Sequence, residues 1–243
     1  MLLSVITVSF NSVDTIKRCL ESIVPFITDE IEYIVYDGKS VDGTHLILNE
    51  YSQNEQIKWM RYSDDGIYDA MNKAVSAASG LYVCFVNSDD YLEHSALNTF
   101  VRNIKASKNE QLLVHGAYII NNNVTIRRPI KSRLPIWLKM PFDHQATLVE
   151  REFFIKSGGY KKEYGLVADY EFFLRHQKVV KIKLHQQYTN NLVRGGRSNL
   201  SKSSLHINLA LKDNGFNFFT RSAAILGRKI ILLASNLRRF NCV

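Results

Sequence analysis

LYVCFVNSDDYLEHS, residues 81–95, runs an apolar stretch directly into two adjacent carboxylates. YVCFV, residues 82–86, has the aromatic and β-branched composition of a buried strand. Asn87, Ser88, Asp89 and Asp90 follow at its carboxyl end, where side chains leave the core. Asp90, with Glu93 three residues on, has the form of a helix capping box. That accounts for one acid and leaves Asp89 idle. Two neighbouring carboxylates repel unless a cation sits between them. Hard divalent ions prefer carboxylate oxygens, and Mg2+ or Mn2+ combine one or two protein carboxylates with substrate phosphates. The stretch therefore predicts a metal–diphosphate site carried by Asp89 and Asp90.

Upstream, strand and helix patterns alternate. LLSVITVSF (2–10) reads as a first strand. NSVDTIKRCLESI (11–23) reads as a helix capped by Ser12 or Asp14, with Ile16, Cys19, Leu20 and Ile23 on one face. IEYIVYD (31–37) and IKWMRY (57–62) are further strands, and THLILNEYSQ (44–53) and DAMNKAVSAAS (69–79) are helices. This alternation predicts an α/β fold with a parallel, helix-covered sheet. Ligands in such sheets bind outside the carboxyl ends of the strands. Those ends carry Asn11, Asp37, and Asp89 with Asp90. Asp37 opens DGKSVDGT (37–44), which has two Asp-Gly turn steps. As an acceptor-only group in the crevice it suits a base N–H or a sugar hydroxyl. Beyond residue 110, LLVHGAYII (112–120) and VTIRRPI (124–130) read as strands around an Asn122–Asn123 turn. GGYKKEYGLVADYEFFLRHQ (158–177) reads as a loop then a helix, for which Asp169 is a natural N-cap.

The chain has 243 residues, 46% of them apolar, enough for one large domain or two small ones with a sizeable core. No window approaches the roughly 18 uninterrupted apolar residues of a membrane span. MLLSVITVSFN has no basic leader or small-residue cleavage site and reads as a strand, not a signal peptide. Cys19, Cys84 and Cys242 have neither metal spacing nor a disulfide pattern, which points to a reducing cytoplasm. Net charge is +8, and residues 201–243 supply +6 of it, with seven Lys and Arg against Asp213. In that tail Phe216, Phe219, Ala223, Leu226, Ile230, Leu233 and Leu237 form one helical stripe, with Arg221, Arg228 and Arg239 opposite. Three uses fit: packing on the main domain, a short coiled-coil dimer, or lying in an anionic membrane surface. The last explains both the apolar face and the charge.

Four segments in series, TVSFN (7–11), YDGKSVDGT (36–44), DDGIYDAMNKA (64–74) and FVNSDD (85–90), resemble the inverting family 2 glycosyltransferases of the GT-A fold. FDHQATLV (142–149) and GGYKKEYGLVADYEFFLR (158–175) extend the resemblance to about residue 200. It implies a Rossmann-like, helix-covered mixed sheet with a mostly parallel N-terminal half. A GT-A domain would span 1–200, its nucleotide-binding half about 1–110 and its acceptor half about 111–200, with 201–243 a basic amphipathic helical tail. By the same resemblance Thr7 and Asp37 hold the uracil of a UDP-sugar. Asn11, Asp65, Asp69 and Asn72 shape the nucleotide pocket, and His144 and Gln145 line the sugar site. Asp89, with Asp90, takes the place of the metal-binding acids for Mn2+ or Mg2+, and Asp169 that of the general base. Many members have an acid where this chain has Asn87, which implies a weaker metal site. The Gln-x-x-Arg-Trp motif of processive synthases is absent, which argues for adding a single sugar. The implied acceptor is a lipid-linked saccharide such as GlcNAc-diphospho-undecaprenol, in O-antigen or surface-polysaccharide synthesis. Glucose or galactose would be the sugar, transferred at the inner face of the bacterial inner membrane.

Other classes remain to be weighed. A metal-dependent phosphotransferase would need an Asp nucleophile or a phosphate loop, and neither Gly-x-x-x-x-Gly-Lys-Ser/Thr nor Gly-x-Gly-x-x-Gly follows the first strand. A nucleic-acid-binding protein would spread basic and aromatic residues over the domain, whereas charge collects in the tail, so no nucleic-acid partner is expected. A non-catalytic sugar-nucleotide binder would tolerate loss of Asp169. RGGRS (194–198) could bring backbone N–H groups near a phosphate, or could be an ordinary loop.

Overall fold

Strand β1 (Leu3–Ser9), buried along its whole length, lies between β2 (Ile31–Asp37) and β4 (Tyr82–Phe85) and is parallel to both. β3 (Ile57–Arg61) adds in parallel outside β2. The crossovers are α1 (Ile16–Ile23), α2 (Thr44–Tyr51) and α3 (Ile67–Ser76). The chain steps outward from β1 to β3 and then returns to place β4 on the other side of β1. The carboxyl ends of β1 and β4 thus flank a topological switch point, where such sheets open a crevice. Beyond β4 the sheet turns mixed. It continues through β8 (Thr147–Glu150), β6 (Leu112–Asn121), β9 (Ile182–Val193) and the short β5 (Tyr91–Leu92), while β7 (Val124–Arg127) pairs with β6. β8 is antiparallel to both β4 and β6.

This computed structural model describes residues 1–54, 56–121, 124–128, 130–193 and 203–240, with side chains to Ile231. The Asn122–Asn123 turn, the Arg194–Ser198 segment, Cys242 and the side chains of Leu233, Leu237 and Arg239 lie outside the described residues. Strand alternation divides the core. Leu3, Val5, Tyr33, Val35, Tyr82 and Cys84 face α1, α2 and α4 (Ala96–Lys105). Ile6, Val8, Ile34, Tyr36, Val83 and Phe85 face α3, α6 (Ala168–His176) and α7 (Ser204–Asp213). α5 (Arg151–Lys156) follows β8, and α8 (Phe218–Phe240) ends the chain. Ile207, Ala210 and Leu211 of α7 sit in the same core as α3 and α6. Neither Ser12 nor Asp14 caps α1. The helix starts at Ile16 after Thr15, and Ser12 instead accepts the Thr15 and Ile16 N–H groups through its backbone carbonyl.

At the opposite end of the parallel sheet, Glu32 is only 4% exposed. It accepts hydrogen bonds from Ser4 Oγ (2.6 Å), Ser79 N (2.5 Å), Ser79 Oγ (2.8 Å) and Lys58 Nζ (2.6 Å). Gly80 crosses so close that a Cβ there would stand 2.5 Å from the Ser4 backbone nitrogen. Burial pushes the Glu32 carboxyl up, but Lys58, Ser4 and Ser79 outweigh it and bring the pKa down to about 2. A lowered folded-state pKa contributes stability that is complete above the unfolded value of 4.5 and lost as pH falls towards 2. Glu32→Ala is expected to cost about 3 kcal/mol in urea unfolding at neutral pH. Glu32→Gln should flatten the loss of stability that the unmodified protein shows as pH falls from about 4.5 towards 2, a window set by those two values.

Candidate active site

The turn after β4 carries Asp89 and Asp90, whose side chains have separate surroundings. Asp90 is 4% exposed, accepts the Val193 N–H at 2.8 Å and is hydrogen-bonded by the Asn87 side chain. Burial, reinforced by the charge of Asp89, raises its pKa to about 7. Glu93 accepts Asn191 Nδ2 at 2.5 Å and donates its N–H to the Thr189 carbonyl. The capping-box pair is therefore a staple that ties the end of β9 to this turn, and α4 begins only at Ala96. Asp90 is thus tied to β9 and largely closed to solvent. Asp89 is half-buried, with its pKa raised by burial, and Arg18 reaches its backbone carbonyl rather than its carboxylate. Asn87 Oδ1 is buried with no hydrogen-bond donor. An under-compensated carboxylate beside an orphaned amide oxygen suits a hard cation that takes its remaining oxygens from a diphosphate. Among the described residues no three His, Cys, Asp or Glu could hold a metal alone.

Asp169 lies in the first turn of α6 and is largely buried, with 17% of its side chain exposed. Tyr68 of α3 donates to its Oδ1 at 2.8 Å. His144 Nδ1, from the short turn before β8, stands 3.0 Å from its Oδ2. Burial pushes the Asp169 carboxyl up, but the His144 hydrogen bond and charge, with the Tyr68 hydroxyl, outweigh it and hold it below the ordinary carboxylate value. Burial conversely disfavours His144 as a cation, and Asp169, Asp143 and Asp90 outweigh that, raising its pKa. His144 Nε2 is buried with no partner. The result is an ionised carboxylate held in a fixed orientation. Its electrostatic link to Asp90 through His144 brings Asp89, Asp90, His144 and Asp169 into one neighbourhood.

Asp37 does not join them. It leaves β2 on the α1–α2 face, while Asp169 arrives from the α3–α6 face. It is fully buried and accepts from Ser40 Oγ, Ser40 N (3.1 Å) and Arg61 Nε (3.3 Å). Ser40 and Arg61 thus occupy three of its acceptor positions. Thr7 is also fully buried, its hydroxyl accepting from Tyr33 at 2.9 Å beside Cys19. Asn11 has a left-handed backbone (φ 50°), receives the Val41 N–H and donates its own N–H to Ser40, which locks the two loops together. Ser12 Oγ and Ser88 Oγ meet at 2.8 Å and join the β1 and β4 ends across the switch point.

The acids before α3 also sort differently from expectation. Asp65 points outward to Lys162 at 2.6 Å, and Asp69 pairs with Lys73 at 2.7 Å while accepting the Asp65 N–H. Asp64 is the acid turned to the cleft: a Cβ on Gly38 would lie 2.6 Å from its Oδ2 and 3.3 Å from the ring of Phe10. Phe10, 47% exposed at the end of β1, lies there as well. Sequence reading missed both, because DD does not reveal which acid turns inward and a lone Phe after a strand looks like core. Gln145 presents its backbone: its carbonyl accepts Asn190 Nδ2 at 2.7 Å.

Asn72 braces the segment ahead of α6. Its side-chain amide donates to the Tyr160 carbonyl at 2.6 Å and accepts the Tyr160 N–H at 3.0 Å. Arg175 of α6 donates to the Gly159 carbonyl at 2.8 Å and to Glu171 at 3.0 Å. These bonds fix α6, and so Asp169, against α3. Asn72→Ala leaves both Tyr160 groups unmatched and should cost about 2 kcal/mol in denaturant unfolding. UDP affinity measured by calorimetry should stay within about twofold, a change of under 1 kcal/mol.

The chain matches the family model described as glycosyl transferase family 2 over residues 4–162. It is 29% identical over 174 residues to a PGL/p-HBAD biosynthesis glycosyltransferase of Mycobacterium bovis, covering 71% of this chain and 68% of that one. An uncharacterized glycosyltransferase of Mycobacterium tuberculosis is 32% identical over 179 residues, covering 71% and 67%. Among solved structures, residues 1–349 of S. aureus TarS in complex with UDP superpose with a TM-score of 0.69 at 17% identity, covering 94% of this chain and 70% of that one. The mannosyltransferase PcManGT of Pyrobaculum calidifontis, in complex with GDP-Man and Mn2+, gives 0.68 at 15%, covering 93% and 68%. The fold is that of the GT-A glycosyltransferases, and the chain belongs to glycosyl transferase family 2 and is a glycosyltransferase.

Proposed function

We propose that the protein is an inverting transferase that moves one hexose, glucose or galactose, from a UDP-sugar to a lipid-linked saccharide. The acceptor class would be GlcNAc-diphospho-undecaprenol, used in O-antigen or surface-polysaccharide synthesis at the cytoplasmic face of the inner membrane. The observation that carries the reading is the ionised, doubly hydrogen-bonded Asp169 beside the switch point. Solved neighbours described with UDP, UDP-GlcNAc and GDP-Man support a nucleotide-sugar donor, and the one described with Mn2+ supports a divalent ion.

The nucleotide would lie across the carboxyl ends of β1 and β2, over Phe10 and beside Asp64, with its diphosphate towards Asn87 and Asp89. Mn2+ or Mg2+ held there would offset the charge that develops on the departing diphosphate. The acceptor hydroxyl attacks the anomeric carbon from the face opposite the leaving group. The glycosidic C–O bond forms as the C–O bond to UDP breaks, and Asp169 takes the hydroxyl proton. His144 fixes the carboxylate and keeps it ionised. Tyr68 leaves one lone-pair direction of the carboxylate for the incoming proton.

Asp169→Asn is expected to lower turnover about 10²–10⁴-fold with UDP affinity retained. A non-catalytic binder would lose neither. His144→Ala removes the groups that oppose burial, so the acid limb of the pH–rate profile should move to higher pH. An unshifted limb would separate His144 from Asp169. The assignment is tested by incubating the protein with Mn2+, a GlcNAc-diphospho-lipid analogue and a panel of UDP-sugars. UDP release with a mass gain of one hexose is expected, whereas no transfer and no UDP binding would refute it.

A further inference from the structure

Helix α8 is amphipathic in the reverse of the usual sense. Ala224 on its inner side is fully buried. A Cβ at Gly227 would touch Leu138 at 2.6 Å, and Arg228 lies 4.5 Å over the Tyr170 ring. The helix thus packs through small residues and an arginine. Its apolar residues face out: Phe218 68%, Phe219 82%, Leu226 61% and Ile230 57% exposed. Positions 219, 223, 226 and 230 recur at helical spacing, so this is one strip and not scattered exposure. Of the stripe read from the sequence, Phe219, Ala223, Leu226 and Ile230 are exposed, whereas Phe216 packs on the core. The reason lies in the partner surface, where Tyr170 offers an aromatic face that a guanidinium fills by cation–π attraction.

A second basic element stands beside it. Residues 111–142 contain no acid, and Arg127, Arg128, Lys131, Arg133 and Lys139 fall within 13 consecutive positions. Arg127 lies over Tyr188, Arg128 pairs with Asp143, and Lys139 is partly buried. Lys131 and Arg133 are exposed and have no acidic partner among the described residues. Leu134 and Pro135 beside them are exposed as well. This loop is clamped between α8 and the helix that bears Asp169. Tyr170 donates to the Ile136 carbonyl at 2.7 Å, and Leu138 meets Gly227. The loop that carries these exposed cations therefore adjoins α8.

We propose that the outer strip of α8 and the Lys131–Pro135 loop form one docking surface for an anionic lipid bilayer. The apolar strip would enter the headgroup–acyl boundary, with Lys131, Arg133 and Lys229 meeting lipid phosphates. The proposal rests on the lipid-linked acceptor reading and adds to it: the tail supplies chiefly the apolar contact, while much of the charge comes from a loop in the body of the domain. Because α8 and this loop both touch the neighbourhood of Tyr170, docking would present an acceptor at the base and not at the nucleotide end. Among the described residues no helix is long and apolar enough to cross a membrane, so this is surface binding.

The test is co-sedimentation of the full chain with phosphatidylcholine vesicles and with phosphatidylcholine–phosphatidylglycerol vesicles, at low and high salt. Partition is expected only with the anionic lipid at low salt. Lys131→Glu with Arg133→Glu should reduce it by about twentyfold or more, at about fivefold per charge lost. Leu226→Glu with Ile230→Glu should abolish it. Both pairs are exposed, so the thermal midpoint should not move and UDP release with a water-soluble acceptor should be kept. Equal binding to both vesicle types, or indifference to either pair, overturns the proposal. So does a concentration-dependent dimer abolished by the α8 pair, which would make a second copy the occupant. Loss of transfer with partition intact would count against the transferase reading alone.

Discussion

The arrangement turns on keeping a carboxylate ionised where burial would neutralise it. Asp169 is mostly enclosed by protein, and enclosure alone favours its protonated form. The imidazole of His144 and the hydroxyl of Tyr68 reverse the balance, and each comes from a different element. The pair therefore exists only while α3, α6 and the turn before β8 keep their relative positions. Those positions are set behind the site by polar braces and by aromatic packing. Asn72 grips the Tyr160 backbone, Arg175 grips the Gly159 carbonyl, and Phe154, Tyr160 and Phe172 have ring centroids 4.9–5.5 Å apart. A close-packed core of this kind transmits small displacements, so the electrostatics of the site and the packing of the acceptor half are one property.

The remaining acids show how few are free. Asp37, Asp65, Asp69, Asp90 and Glu93 are each committed to a backbone group, a lysine, an arginine or a neighbouring strand. These bonds shape the loops at the carboxyl ends of β1, β2 and β4. Asp89, by contrast, is half-buried near the orphaned oxygen of Asn87, with the charge of Arg18 as a partial offset. If the proposed cation binds there, so lean a donor set would need the substrate to complete its shell, and metal and donor binding would be coupled.

The course of the chain after α7 follows a related logic. The domain offers α8 an aromatic ring and a leucine, and the helix answers with Arg228 and Gly227. Its apolar strip is left outside because burying it would require a groove the sheet's helices do not form. Contacts within the chain decide which face of an amphipathic helix is inner, and hydrophobicity alone does not.

Much of the fold was written in periodicity. Strands β1, β2 and β4 are continuous apolar runs because helices cover both faces, and the intervening helices carry apolar residues at helical spacing; either pattern is legible one residue at a time. The four motifs in series identified the family, Asp89 stood out as an acid at the end of an apolar strand, and Asp169 was singled out through the family resemblance alone. What the sequence could not convey is direction. Asp64 and Asp65 are chemically identical neighbours, and only backbone geometry sends one to the cleft and the other to Lys162. Thr7 looks like a strand-end ligand until Tyr33 takes its hydroxyl. Asp90 and Glu93 have the spacing of a cap and serve as a staple to a strand a hundred residues away. Local pattern determines which residues are apolar, acidic or helical. Partners distant along the chain decide whether a given acid is framework or chemistry, because burial and hydrogen bonding, not residue type, set its charge and its reach.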